Sequence, residues 1–308
     1  MDRRRFVSHL AFAALGGLAG RSLRGVETAP QTLITKAIPA TGEGIPVIGM
    51  GTWITFNVGS APDLLRQRTA ILRTFFARGG GMIDSSPMYG SAERVVGHCL
   101  EQLGHPEGLF SATKVWTRSD EEGRTQHQDS LRLWGVSRLD LQQVHNLVNW
   151  RDHLKTLRAL KERGDVRYIG ITTSHGRRHR ELEQVMKTEP LDFVQLTYNI
   201  ARRSVENSLL PLARDRGIAV IANRPYGGGR FIAEAQRSGR EVPAWAVEAG
   251  CTNWPEFLLK WIVAHPAVTC AIPATSQVAH MRENMGACHG QLPDGATRRR
   301  MTDLFATL

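Results

Sequence analysis

Four side chains in this chain have the types and the spacing for proton chemistry. Asp84 ends the short apolar stretch Met82-Ile83, which opens after the turn signal Gly80-Gly81. Tyr89 follows in a segment that Pro87 and Gly90 keep out of regular helix or strand. Lys114 stands inside the apolar run 110–116, and His145 closes the run 139–144. Taken singly, these are a turn acid, a tyrosine in a loop, a surface lysine and a core histidine. Three of them recur: Asp84, Lys114 and His145 are 30 and 31 residues apart, one structural unit each. A tyrosine hydroxyl has an ordinary pKa of about 10. A nearby ammonium favours its ionised form, so Lys114 is expected to pull the Tyr89 phenol down towards neutrality. Asp84 would compensate that ammonium inside the protein. His145 could hold a carbonyl oxygen in line while Tyr89 gives it a proton. None of the four supplies a hydride, so a cofactor is required.

The elements that must position these residues alternate along the chain. Strands are expected at 47–53, 82–84, 109–116, 139–145, 166–173, 193–198, 218–223 and 268–273. Helical patterns are expected at 64–78, 93–103, 126–134, 150–163, 178–186, 205–216, from Pro255, and at 278–287. The stretch with Gly227-Gly228-Gly229 and Gly239 reads as a long polar loop. Eight strand–helix units over residues 42–308 fit an α/β architecture, a (β/α)8 TIM barrel, which typically has about 250 residues. A doubly wound open sheet has a similar rhythm. However, Gly49-Met50-Gly51 runs into Thr52-Trp53, not into the glycine-rich start of a helix. In a barrel, the 30-residue period brings Asp84, Lys114 and His145 to the carboxyl ends of adjacent strands.

With 42% apolar residues the chain can bury a full core, and its formal charge is +10. No long basic run interleaved with aromatics is present, which argues against a nucleic-acid surface. The basic excess suits an anionic ligand, and Arg298-Arg299-Arg300 reads as a solvated helix face. The four cysteines have neither C-x-x-C nor zinc-like spacing, so they read as small buried apolar residues, with a disulfide left open if the protein is exported. Arg3-Arg4-Arg5-Phe6-Val7 precedes the apolar run Leu10–Gly20, a basic region and short hydrophobic region of signal-peptide type. It is too short and glycine-rich to span a membrane stably. The arginine pair, one residue and Phe6 resemble a twin-arginine signal. The expected organisation is therefore a signal and linker at 1–41 and a barrel at 42–308. Recognition by the twin-arginine export machinery and a location in the bacterial periplasm follow from it.

Over nearly all of 42–308 the chain resembles the aldo-keto reductases. The pieces that carry the resemblance are Gly49-Met50-Gly51-Thr52-Trp53, Asp84-x4-Tyr89-Gly90, Ala112-Thr113-Lys114, Asp140-Leu141-x3-His145, Tyr168-Ile169-Gly170-Ile171, Gln195-x2-Tyr198-Asn199, and Ile272-Pro273-Ala274-Thr275-Ser276 with Glu283-Asn284. The resemblance implies a carbonyl reductase or alcohol dehydrogenase chemistry, with Tyr89 as general acid/base, Lys114 and Asp84 tuning it, and His145 orienting a small-molecule carbonyl substrate. It implies NADP, with NAD possible, as the hydride carrier. Gln195 would lie near the nicotinamide amide and Glu283 and Asn284 near the adenine. Gly51, Thr52, Thr172, Thr173, Arg224, Pro225, Thr275, Ser276 and His280 would complete the cofactor site, and Trp53, Trp116 and Tyr226 would wall the substrate.

The sequence also departs from the family pattern. Thr172-Thr173 replaces the usual Ser-Asn, and Thr173 has no carboxamide. Asn223-Arg224-Pro225-Tyr226 replaces Tyr-Ser-Pro-Leu, so the aromatic that stacks on nicotinamide is missing. Arg224 either reaches a phosphate or makes a salt bridge at the barrel rim. These departures, with export from the cytoplasm, keep a second reading open: a nicotinamide-binding sensor or assembly partner with little turnover. A metal-dependent hydrolase using His145, His175 and Asp84 lacks ligand spacing of the H-x-H kind.

Overall fold

The computed structural model describes residues 32–308. The arginine pair and the apolar run after it lie outside the described residues. The chain first makes an antiparallel hairpin, β1 (Thr35–Ala37) with β2 (Gly44–Pro46). Eight parallel strands follow: β3 (Met50–Gly51), β4 (Met82–Asp84), β5 (Phe110–Val115), β6 (Leu139–Val144), β7 (Val166–Thr172), β8 (Phe193–Thr197), β9 (Ala219–Asn223) and β10 (Cys270–Ala271). They pair in sequence order, and the first and last strands meet through Gly49 N–H to Ala271 O at 2.9 Å and Gly51 N–H to Pro273 O at 3.0 Å. The result is the expected (β/α)8 barrel.

Helices α1 (Pro62–Ala77), α2 (Ala92–Gln102), α3 (Asp120–Trp134), α4 (Trp150–Glu162), α5 (His179–Thr188), α6 (Leu209–Asp215), α9 (Trp254–Val263) and α10 (Val278–Gly286) connect or follow the strands. Among the described residues, no helix is long and apolar enough to cross a membrane. The jacket between strands and helices is built from residues such as Leu72, Phe75, Val96, Leu157, Val185, Leu210 and Ile262, all essentially inaccessible.

Side chains alternate across each strand, and the inward set changes character with height. Met82, Phe110, Ala112, Leu141, Tyr168, Phe193, Ala219 and Ile221 form an apolar lower interior, stoppered by Ile38 and Ile45 of the hairpin. Two residues further along the strands the same alternation brings in Asp84, Lys114, Gln143, Gln195 and Asn223, all buried and polar. Register aligns the layer: Lys114 pairs with Gln143, Thr172 with Gln195 and Thr197 with Asn223.

Four sequence expectations need correction. The boundary at residue 42 cuts through the hairpin that floors the barrel. Ile38 is fully buried there, and Lys36 gives its ammonium to Val263 O, His265 O and Val268 O at 2.6, 2.9 and 2.6 Å. Helix α3 starts at Asp120 instead of 126, because Ser119 accepts the Glu122 N–H and Asp120, Glu121 and Glu122 suit its positive end. The loop after β9 contains two short helices, α7 (Arg230–Arg237) and α8 (Ala244–Glu248). Finally, α11 (Gly295–Phe305) does not leave Arg298 in water. Its guanidinium lies 4.4 Å from the centre of the Trp261 ring and donates to Trp261 O and the Tyr198 hydroxyl.

Candidate active site

Asp84, Lys114, Tyr89 and His145 meet at the carboxyl ends of β4, β5 and β6. Lys114 is fully buried, and its Nζ donates to Asp84 Oδ2 at 2.6 Å and to Ser85 O at 2.7 Å. The same ammonium lies 5.2 Å from the centre of the Tyr89 ring. The second carboxylate oxygen of Asp84 accepts from Gln195 Nε2 at 2.8 Å and Gln143 Nε2 at 3.2 Å. Three donors thus fix the carboxylate, which fixes the lysine. Ser86 caps the short 3-10 turn Pro87–Tyr89 that carries the phenol, and Gly90 leaves it in a left-handed conformation, φ 64°. A Cβ at Gly90 would come within 2.4 Å of Asn57 Oδ1, the atom that accepts the Ser91 N–H.

Burial pulls the Lys114 pKa down, but Asp84 and Tyr89 outweigh it and hold the amine above its ordinary value, so it is an ammonium. The Tyr89 phenol does not follow the sequence expectation. Burial pushes it above its ordinary value, and the opposing pull of Lys114 is the smaller effect. Asp84 also cancels part of the ammonium's field at the phenol. The expected lowering is therefore replaced by a phenol that keeps its proton.

His145 opens a 3-10 turn at the end of β6, where Asn146 N–H donates to Thr172 Oγ1 at 3.0 Å. Its ring is edge-on to Tyr89, with centres 5.8 Å apart and planes at 85°. Burial and the charge of Lys114 lower its pKa to about 2, so the imidazole is neutral. A neutral imidazole with one N–H can hold a carbonyl oxygen beside the phenol.

The residues expected for the cofactor lie on β3, β7–β10 and the loops that follow them. Gly51 has Ile272 O only 3.1 Å from where a Cβ would sit, and Thr52 donates to Asp84 O at 3.0 Å and Ser85 Oγ at 2.9 Å. Both therefore shape the backbone under the site. Thr172 holds the turn after His145, as described above. Gln195 spends its amide on Asp84 and accepts from Asn223 Nδ2 at 3.4 Å, which in turn donates to Thr173 O at 2.9 Å. Arg224, in the left-handed region at φ 54°, makes no salt bridge among the described residues. Its guanidinium instead lies 5.7 Å from the centre of the Trp53 ring, across the end of β10, and Pro225 follows it. Thr275 Oγ1 accepts the Gln277 N–H at 3.1 Å, beside the half-buried Ser276. His280 is exposed and Glu283 half-buried on α10.

Tyr226 departs from its expected place with the substrate wall. Its hydroxyl donates to Asn284 Oδ1 at 2.6 Å, so it stands beside a residue expected for the cofactor. Trp53 and Trp116 are 45% and 43% exposed, and Met88 and Ile54 are also open. The four give the loops after β3, β4 and β5 an apolar rim. Sequence reasoning missed Gln143 and Ser86. Period-two alternation back from His145 would have found Gln143.

The residues present suit a dinucleotide. Among the described residues, Thr173 Oγ1 and Asn284 Nδ2 are buried without a hydrogen-bond partner. Helix α10 begins without a side-chain cap, which leaves its first N–H groups for an anion.

Known proteins resemble this chain over most of its length. The model of the Aldo/keto reductase family matches residues 47–299. Methylglyoxal reductase YeaE of Escherichia coli (strain K12) is 26% identical over 262 residues, 83% of this chain and 90% of the relative. An aldo/keto reductase from Klebsiella pneumoniae, solved with NADP and acetate, superposes with a TM-score of 0.68 at 23% identity, covering 86% of this chain and 93% of that one. The holo form of an aldo-keto reductase from Bacillus halodurans gives a TM-score of 0.72 at 20% identity, with coverage of 89% and 96%. At these identities the two structures attest the fold, and the family model attests the kinship. This chain belongs to the aldo/keto reductase family.

Proposed function

We propose that the protein reduces a small aldehyde or ketone to the alcohol with NADPH, NADH being the alternative donor. The observation that carries this reading is the buried ammonium of Lys114, held by Asp84 and set against the phenol of Tyr89 beside a neutral imidazole. The reduced cofactor, when bound, supplies the hydride. The protein's own residues manage the oxygen. Tyr89 donates its proton to the carbonyl oxygen as negative charge develops there. Lys114 stabilises the phenolate left behind, and Asp84 keeps the lysine charged and in place. His145 donates a hydrogen bond that aligns the carbonyl. Thr173, Gln195, Asn223, Tyr226 and Asn284 would hold the cofactor in this reading, and Thr275, Ser276 and the open end of α10 would take a phosphate. Trp53 and Trp116 form the substrate wall.

The NADP-bound relative supports the choice of cofactor, and the relative named for methylglyoxal supports short 2-oxoaldehydes as the first substrates to try. Folded protein mixed with NADPH or NADH and a panel of small aldehydes should consume the absorbance of the reduced nicotinamide. No turnover with either cofactor across the panel would sink the proposal.

Export through the twin-arginine route to the bacterial periplasm is part of the same proposal, supported by Arg3-Arg4, Phe6 and the apolar run 10–20. Replacing Arg3 and Arg4 with lysine should strand the protein in the cytoplasm, and unchanged export would refute that route.

A further inference from the structure

Ser86 touches the chemistry from behind. It sits between β4 and the turn that carries Tyr89, 1% exposed, and its Oγ has two polar neighbours among the described residues. Met88 N–H donates to it at 3.4 Å, and His145 Nδ1 lies 2.9 Å away. An N–H can only donate, so Oγ is the acceptor towards Met88. The hydroxyl hydrogen then has one acceptor in reach, Nδ1 of His145. Leaving a buried donor unpaired costs about 1–3 kcal/mol, which selects the arrangement in which Ser86 donates to Nδ1. A neutral imidazole has a single N–H. With Nδ1 acting as acceptor, that hydrogen is on Nε2, and Nε2 has no partner among the described residues.

We propose that Ser86 is a positioning residue that holds His145 as the Nε2–H tautomer, so that the imidazole presents a donor and not a lone pair to the substrate's carbonyl oxygen. The catalytic purpose rests on the carbonyl-reductase reading; the tautomer itself does not. In the other tautomer Nε2 would point a lone pair at an oxygen gathering negative charge, and the ring would work against Tyr89. The hydroxyl also ties the turn bearing the phenol to the turn bearing the imidazole, so the two donors keep a fixed separation.

The tautomer can be read on resting, nitrogen-15-labelled protein from the two- and three-bond couplings of the His145 ring, without turnover. The parent should show a single Nε2–H form. Ser86→Ala should show a changed ring pattern and a kcat/KM for aldehyde about tenfold lower, the scale of one hydrogen bond. Its cofactor dissociation constant should be unchanged, and Ser86→Thr should restore both readouts. An Nδ1–H form in the parent overturns the proposal even if Ser86→Ala fails to fold. A Ser86→Ala ring pattern identical to the parent's overturns it whatever the rate, and so does a changed pattern with unchanged kcat/KM. If the parent shows Nε2–H but reduces no carbonyl with either cofactor, the functional reading fails while the Ser86–His145 assignment stands.

Discussion

Two lysines lie at opposite ends of the barrel, and they are satisfied in different ways. At the floor, the half-buried Lys36 donates to three backbone carbonyls and has no carboxylate beside it among its described partners. Burial, helped by the charge of Arg298, brings its pKa down to about 8. At the top, the fully buried Lys114 has one carbonyl and the carboxylate of Asp84, and its pKa stands above the ordinary value despite a larger desolvation. Carbonyl dipoles satisfy a lysine's hydrogens but leave its pKa lowered by burial, whereas an opposite charge lifts it above the ordinary value. The floor lysine is a fastener. The top lysine is a fixed charge, which the proposed chemistry needs.

Exchanging each lysine for methionine tests that contrast. Lys114→Met should lower kcat/KM by roughly 10²–10⁴-fold, the range of a general-acid contribution, because the donor at Tyr89 can no longer shed its proton next to a cation. It should also cost about 3–5 kcal/mol, since Asp84 is left charged and unpaired. Adding Asp84→Asn should recover most of that stability and none of the rate. Lys36→Met should leave kcat/KM within about twofold and cost about 1–3 kcal/mol, because Val263 O and Val268 O lose the ammonium while His265 O keeps the Val268 N–H at 3.0 Å. Chemical denaturation and steady-state rates on the same preparations separate the two. A rate loss at Lys36 comparable with that at Lys114 would erase the distinction between floor and site.

The same contrast marks what the sequence could disclose. Asp84, Lys114 and His145 were legible because a barrel repeats about every 30 residues and puts equivalent strand ends side by side. The floor was not, since 32–41 has too little alternation before Pro39 and Gly42 to announce a strand. Gln142 and Gln143 are adjacent and chemically identical. Yet Gln142 faces outward and meets His127 at 2.6 Å, while Gln143 faces inward to Asp84. Only register, counted from His145, tells them apart. The direction of the Tyr89 pKa was beyond reach for another reason. A sequence names the ammonium that lowers it but not the degree of burial that raises it. Residues 224–254 hid α7 and α8 because the glycines at 227–229 obscure the short helix that begins at Arg230.

The pH dependence of reduction sharpens the comparison at the phenol itself. The Tyr89 pKa lies above its ordinary value, so the phenol carries its proton through neutral pH and loses it only in strong alkali. For the reductive direction, kcat/KM should stay flat between about pH 6 and 9 and fall only at about 10 or higher. No step should appear near about 6.5, where an ordinary histidine titrates, because His145 is neutral down to about 2. A fall centred near neutrality would mean that the ammonium of Lys114 outweighs burial in the working enzyme, the reverse of the order found here.

Gln143→Leu should have the smallest effect on stability. Its amide is the longest of the three contacts to Asp84, at 3.2 Å against 2.6 Å for Lys114 and 2.8 Å for Gln195. Its carbonyl oxygen is buried with no partner among the described residues, a cost already present in the folded protein. Leucine removes the donor and the orphaned acceptor together, so stability should change by no more than about 1 kcal/mol. With Lys114 and Gln195 still holding the carboxylate, kcat/KM should drop no more than about threefold. Gln195→Leu removes the shorter contact and a residue expected to touch the cofactor, so it should raise the cofactor's dissociation constant where Gln143→Leu does not. If Gln143→Leu instead cuts the rate more than about tenfold, the carboxylate is held cooperatively by all three donors, and Lys114 depends on the barrel's inner polar layer as well as on its own ion pair.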